Sequence, residues 1–330
     1  MIRKMQKEYK DQAHMTRNNE LDNHPKIKGY DFSNDFDFSE FIESYATTGF
    51  QGTELYKAIS ITRTMRDEGV PIYLSFTGNA ISSGLRDIIT FLVREKKVHT
   101  IITTASGIEE DIIKHLSDFK LGEFEVLGRS LFEHGVGRIG NIFVPNTRYL
   151  YLERFIKKIL SKAQKENLSS PSQIIKLIGQ NLGEDSYLYW AAKNNISVFC
   201  PGIIDGAIGD LVYFFKQQNK DFLIDVTQDH VSLISDVLNQ EKTGSIILGG
   251  GISKHYNLNA QIFREGFDYA VYLTTANEYD GSDSGGNQEE AKTWAKIKLN
   301  APTAKVRSDF SITFPLLVAS VFKDLGVSSK

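Results

Sequence analysis

From about residue 70 onward the chain repeats one local unit: a short unbroken apolar run, a small polar turn, then a stretch long enough for a helix. Residues 70–76 lead through Thr77-Gly78-Asn79 into a predicted helix over 81–94. Residues 98–103 lead through Thr104-Ala105-Ser106-Gly107 into a helix over 108–116, and residues 196–199 lead through 201–206 into a helix near 208–216. Residues 222–226, 245–248 and 269–273 read as three further strands. Strands that are apolar throughout, without alternation, are covered on both faces, which marks a parallel sheet assembled from βαβ units. The implied fold class is α/β: a doubly wound, mostly parallel sheet with helices on both faces. Such a sheet takes ligands outside the carboxyl ends of its strands, where the strand order reverses. Asn79, Ser106, Asp205, Gly249 to Gly251 and Thr275 fall in turns at those ends and are expected to gather along one edge. Residues 149–189 break the rhythm; mostly helical, with a Ser169-Ser170-Pro171-Ser172 turn, they read as linking helices and not as a second catalytic domain.

Composition narrows the function classes. A formal net charge of -3 speaks against a nucleic-acid partner, whose binding domain is usually markedly basic. Cys200 is the single cysteine, so neither an intrachain disulfide nor a cysteine-based zinc site is available. No metal site is expected, and a sirtuin-like deacylase with paired zinc cysteines is disfavoured. The first residues carry no continuous apolar stretch of the kind a signal peptide requires, and no run approaches the ~20 apolar residues of a membrane span. The expectation is a cytoplasmic protein without a membrane partner. Residues 1–28 are expected to form a polar arm, and 29–330 a single catalytic domain.

Several short motifs can carry chemistry, and each has a plainer reading beside it. Gly249-Gly250-Gly251 follows a strand and precedes a helix expected near Lys254. Glycines there let backbone N–H groups and a helix N-terminus approach a phosphate, although a tight turn alone would also need them. The pattern is not the GxGxxG dinucleotide fingerprint. Ser106-Gly107-Ile108-Glu109 matches a helix capping box, leaving Glu110 without an assignment. Asp205 and Asp210 bracket another strand-to-helix turn, where a carboxylate can meet a ribose or a cation, or simply cap the helix. His255 stands at the ligand edge, and its side chain suits proton transfer near neutral pH. A glycine-rich loop over 280–287 leads into Gln288–Lys296; on one helix, Glu290 and Trp294 would share a face, as would Lys292 and Lys296. A lysine crowded by an aromatic ring and other lysines can become an imine-forming nucleophile, whereas an arbitrary lysine is a solvated surface charge.

Taken in order, eight blocks give these fragments a common meaning. Thr77-Gly78-Asn79-Ala80-Ile81-Ser82-Ser83-Gly84, Thr103-Thr104-Ala105-Ser106-Gly107-Ile108-Glu109-Glu110-Asp111, Leu121-Gly122-Glu123-Phe124 and Asp205-Gly206-Ala207-Ile208-Gly209-Asp210 are the first four. Residues 247–255, residues 275–285, Trp294-Ala295-Lys296-Ile297 and Phe314-Pro315-Leu316-Leu317-Val318-Ala319 complete the series. Together they resemble deoxyhypusine synthase, from about Gly29 to Phe322. The resemblance implies a Rossmann-like fold that binds NAD. It also implies transfer of an aminobutyl group from spermidine to one lysine of translation initiation factor 5A, and a homotetramer with sites between paired subunits.

By the same resemblance, Lys296 is the imine-forming lysine and His255 the proton-transfer residue. Asn79, Ser82, Thr104, Ala105, Asp205, Gly250, Thr275, Ala276 and Asp309 line the NAD site. Glu110, Asp210, Asp283 and Glu290 hold the polyamine, with Trp294 against its chain. A flexible trication does call for several carboxylates and an aromatic wall. Four positions depart from the family pattern: Ser106 and Ala295 stand where glycine is usual, Tyr256 where a second histidine is common, and Phe310 where a small residue is expected. Two alternatives remain: a homospermidine synthase, using putrescine as acceptor, would keep the same residues, and a non-catalytic NAD- or polyamine-binding relative would keep the fold.

Overall fold

The computed structural model describes Ile2 and residues 23–323, so most of the arm expected over 1–28 lies outside the described residues. Among the described residues there are nine strands: β1 Ile72–Phe76, β2 Thr100–Ile102, β3 Lys120–Leu121, β4 Val136–Ile139, β5 Ile142–Pro145, β6 Ser197–Phe199, β7 Gly244–Leu248, β8 Tyr269–Thr274 and β9 Thr303–Arg307. Six of them form one sheet in the order β6-β2-β1-β7-β8-β9, and every pairing in it is parallel. Counted in chain order, those six strands run 3-2-1-4-5-6, the doubly wound arrangement whose switch point lies between the first and fourth strands, here β1 and β7.

Every residue of β1, β2 and β7 is buried, as unbroken apolar runs require. Alternate side chains serve opposite faces. Leu74, Phe76, Ile101, Ile246, Leu248, Val271 and Leu273 pack with residues of the helices Phe50–Asp67, Leu85–Arg94 and Phe310–Phe322. Tyr73, Ile102, Ile247 and Tyr272 pack with Leu233 and Leu258 from the helices Val226–Leu238 and Gly251–Ala260. Residues 147–194 hold three helices, Thr147–Lys165, Pro171–Gly179 and Tyr187–Asn194, as their pattern predicts. Among the described residues no helix is long and apolar enough to cross a membrane.

Two expectations fail, and two elements appear that the sequence pattern does not announce. Residues 222–226 are not a strand: the Asp225 side chain accepts a hydrogen bond from the Thr227 N–H at 2.9 Å and caps the helix Val226–Leu238, so a helix start overrides a short β-prone run. β9 escaped detection because Thr303, Lys305 and Arg307 make its sequence look polar. The helix expected over 81–94 is two helices, Asn79–Ser82 and Leu85–Arg94, broken where Ser83 turns extended. Residues 120–145 form a separate antiparallel ribbon in the order β3-β5-β4, which the apolar pattern did not announce.

Candidate active site

At the switch point two turns lie side by side. After β1, the Thr77 hydroxyl bonds the Asn79 side chain. After β7, Gly249 and Gly251 adopt φ +82° and +63°, a region costly for residues with a Cβ. A Cβ on Gly250 would come within 2.6 Å of Ser284, so this backbone makes a closer approach than any other residue type permits. The helix Gly251–Ala260 starts here with no side-chain cap from Gly250, and the Gly251 N–H donates to the Ser284 hydroxyl at 2.9 Å. A helix N-terminus beside glycine backbone, with Ser284 taking only one of its free N–H groups, suits the diphosphate of a dinucleotide. Thr275 and Ala276 follow β8, with the Ala276 N–H turned onto Thr274 Oγ1 at 3.1 Å. Exposed Asp309 caps the helix Phe310–Phe322 through the Ser311 N–H at 2.8 Å.

On the β2 and β6 side the expected Ser106–Glu109 capping box is absent. Thr104 is the N-cap of the helix Ala105–Leu116, and Ser106 instead bonds Thr104 at 2.9 Å while filling the space beside Gly78. Ala105 is buried against Gly206. Glu109 reaches across to accept the Ile208 N–H at 3.1 Å, capping the helix Ala207–Gln218, whose own N-cap Gly206 offers nothing. Burial raises the Glu109 pKa above the ordinary carboxyl value, and the neighbouring Asp210 and Asp205 raise it further. Asp205 and Asp210 themselves are exposed at the start of that helix. Glu110 is buried and accepts a hydrogen bond from Ser82. Burial, reinforced by the charge on Glu109, pushes its carboxyl up to about 8. Lys114, one turn on, donates to the carbonyls of Ile81, Ser82 and Ser83 and so caps the short helix that carries Asn79 and Ser82.

On the β7 and β8 side, Lys296 Nζ lies 3.4 Å from His255 Nε2. Lys296 is only 9% exposed, while His255 is open to solvent. The cleft that Lys296 enters is lined by Lys254, Asp283, Glu290 and Trp294. Lys296 does not share a helical face with Lys292, as expected from spacing. The helix Gln288–Thr293 stops early, because Ala295 takes a left-handed φ of +52° and redirects the chain. Ile297 then bridges Phe267, which fixes the backbone on the far side of the lysine. Asn287 caps the helix through the Glu290 N–H at 2.9 Å and so orients Glu290 toward the same cleft. Trp294, 64% exposed, forms an open wall.

The sequence did not single out Lys254, Tyr272 or Ser284. Tyr272 is buried beneath the Lys254 ammonium, 5.2 Å from its ring centre, and neither its hydroxyl nor Asp283 Oδ2 has a hydrogen-bond partner among the described residues. Buried acceptors left open in this way suit a ligand that brings N–H donors. The structure thus joins Lys296, His255, Asp283, Glu290 and Trp294 in one region. It places Glu110, Ser82, Asp205 and Asp210 in the other half of the edge, outside the cleft around Lys296.

Comparison with known proteins identifies the family. Residues 40–321 match the family model described as deoxyhypusine synthase. The deoxyhypusine synthase of Senecio vernalis is 44% identical, with 90% of this chain and 89% of the relative aligned. Homospermidine synthase 1 of the same plant is 41% identical over equal shares. A crystal structure from Entamoeba histolytica, provisionally described as a deoxyhypusine synthase, superposes with a TM-score of 0.65 at 28% identity, covering 90% of this chain and 96% of that one.

Proposed function

The chain belongs to the deoxyhypusine synthase family and is an enzyme, a transferase; from that premise we propose that it moves the aminobutyl group of spermidine onto a lysine of translation initiation factor 5A, with NAD as cofactor. The observation that carries this reading is the Lys296–His255 pair at 3.4 Å, with Lys296 lining a cleft that two carboxylates and a tryptophan share. NAD, when bound, supplies the hydride acceptor for the amine oxidation and returns the hydride at the end.

The chain's own groups do the rest. Asp283 and Glu290 draw the ammonium groups of spermidine into the cleft, and Trp294 covers its methylenes. His255 accepts a proton at Nε2 as the amine loses hydride. The Lys296 amine then attacks the oxidised carbon, diaminopropane leaves, and the butyl fragment stays as an imine on Nζ. Attack by the acceptor amine frees Lys296 again. Asn79, Ser82, Thr104, Ala105, Asp205, Gly250, Thr275, Ala276 and Asp309 are assigned to NAD, and Glu110 and Asp210 join the polyamine set. With those last two in the other half of the edge, a homotetramer whose paired subunits complete each site accounts for their role. Exposed Ile204, Tyr213, Phe214 and Ile252 supply apolar surface for such pairing. Residues 29–330 are assigned to one catalytic domain acting in the cytoplasm.

Homospermidine synthesis, with putrescine as acceptor, is the second reading, supported by the 41% identical Senecio enzyme. Two assays separate these. Borohydride reduction after incubation with NAD and spermidine should leave a butylamine adduct on the Lys296 peptide; an adduct elsewhere would overturn the site. Transfer to the initiation factor precursor and not to putrescine is the expected outcome, and homospermidine formation without protein labelling would replace the first reading by the second.

A further inference from the structure

The loop 280–287, Asp-Gly-Ser-Asp-Ser-Gly-Gly-Asn, contains no apolar side chain that could anchor it to the core. Such a segment is ordinarily among the least stable of a fold. Here it is held by two buried ammonium groups from different elements. Lys254, in the helix after the triple glycine, donates to the carbonyl of Asp283 and, at 2.9 Å, to that of Gly286. Lys305, in the middle of β9, donates to the carbonyl of Gly285 at 2.6 Å. Both lysines are at most 9% exposed. Gly285 lies so tightly against the Asn277 carbonyl that no Cβ fits, and the Ser284 hydroxyl accepts the Gly251 N–H.

Lys254 lines the pocket proposed for a polycation and opposes its binding by simple charge, while Lys305 stands on the other side of the loop with Glu278 3.6 Å from its Nζ. Burial also disfavours their charged forms, lowering both pKa values. Glu278 offsets part of that cost for Lys305, and the three carbonyls supply the rest for both lysines: an ammonium has three donors and can satisfy several buried backbone oxygens at once.

We propose that Lys254 and Lys305 are positioning residues, a two-sided clamp that fixes the loop 280–287. The clamp thereby sets Asp283 in the polyamine cleft and Ser284 against the triple-glycine turn. One loop then couples the geometry of both ligand sites. This deepens the proposed function and rests on it for the ligands, though not for the clamp itself.

The test uses the full chain with Lys305→Met and Lys305→Arg, each checked for a cooperative melt, with Lys305→Gln as a substitute should the methionine variant not fold. In Lys305→Met, amide hydrogen exchange should accelerate across 281–287 and stay unchanged across 79–94. The KM for spermidine should rise about tenfold or more, the loss expected for one hydrogen bond to a charged group, with a smaller change in kcat. Lys305→Arg, which keeps a donor, should recover most of both. Unchanged exchange in the loop overturns the clamp, as does faster exchange spread evenly over the molecule. Wild-type protein that forms no NADH from NAD and spermidine would defeat the proposed function, while the exchange result would still decide the clamp.

Discussion

The two halves of the binding edge bury opposite charges near their turns. On the β1, β2 and β6 side the buried groups include the carboxyls Glu109 and Glu110; on the β7, β8 and β9 side they include the amines Lys254, Lys296 and Lys305. In the first half both acids already have partners within the chain, since Glu109 caps a helix and Glu110 holds Ser82. In the second half two of the three amines are tied to backbone carbonyls, and the third, Lys296, meets only His255 among its described hydrogen-bond partners. The lysine without a structural task is the one placed for chemistry. A census of lysines in the sequence has no means of making that distinction; a list of their partners does.

The sharpest way to break the contrast is at Lys296. Lys296→Ala should lower aminobutyl transfer by about 10³-fold or more, with binding of NAD retained. Residual transfer within tenfold of wild type would show that another amine carries the fragment, and Lys254 would then be the one to examine.

The first half is tested by pH. With its folded value raised to about 8, Glu110 holds a proton in the native state that the unfolded chain, near the ordinary 4.5, has already lost. Its contribution therefore favours the fold at low pH and declines as pH rises from about 4.5 to 8, by at most about 1.4 kcal/mol per pH unit. Melting curves of the ligand-free protein should show that decline, and Glu110→Gln should flatten it. An ammonium placed beside Glu110 would favour the ionised form, so spermidine binding near pH 7 should expel a proton, visible as a buffer-dependent heat. Identical pH slopes in wild type and Glu110→Gln would remove Glu110 from the account.

The smallest effect concerns the chain just before Lys296. Ala295 sits at φ +52°, where glycine is free of the strain a Cβ brings. Ala295→Gly should leave transfer unchanged and stabilise the fold by up to about 1 kcal/mol, read as a higher Tm. A lower Tm would mean that the entropy lost by glycine outweighs the relief.

The same alanine shows why one part of the site was hard to read. Glycine one place beyond a helix is a stop signal legible in sequence; alanine hides it, and the pattern reads as a helix running on to Lys296. β9 was hidden likewise, because its central Lys305 looked like a solvated charge until a carbonyl partner was visible. The capping-box pattern assigns Glu109 to its own helix, since no local pattern announces a cap for a helix 99 residues away. What could be read was everything set by short-range periodicity: five of the six parallel strands, the glycine turn, and the residues in the turns after them. Contacts between distant turns were beyond reach for the same reason that they are specific.

β1 and β7 are adjacent in the sheet, yet the Ser245 hydroxyl and the Tyr73 carbonyl that join them are 172 residues apart in sequence. Closing so long a loop adds little to the equilibrium cost, which grows only with the logarithm of length, but non-local parallel pairing is slow to find. During synthesis the turn after β1 has to wait for more than half of the protein before its neighbour exists. The crevice between them is therefore assembled late, and the order of events in refolding should put recovery of cofactor binding behind formation of the individual helices.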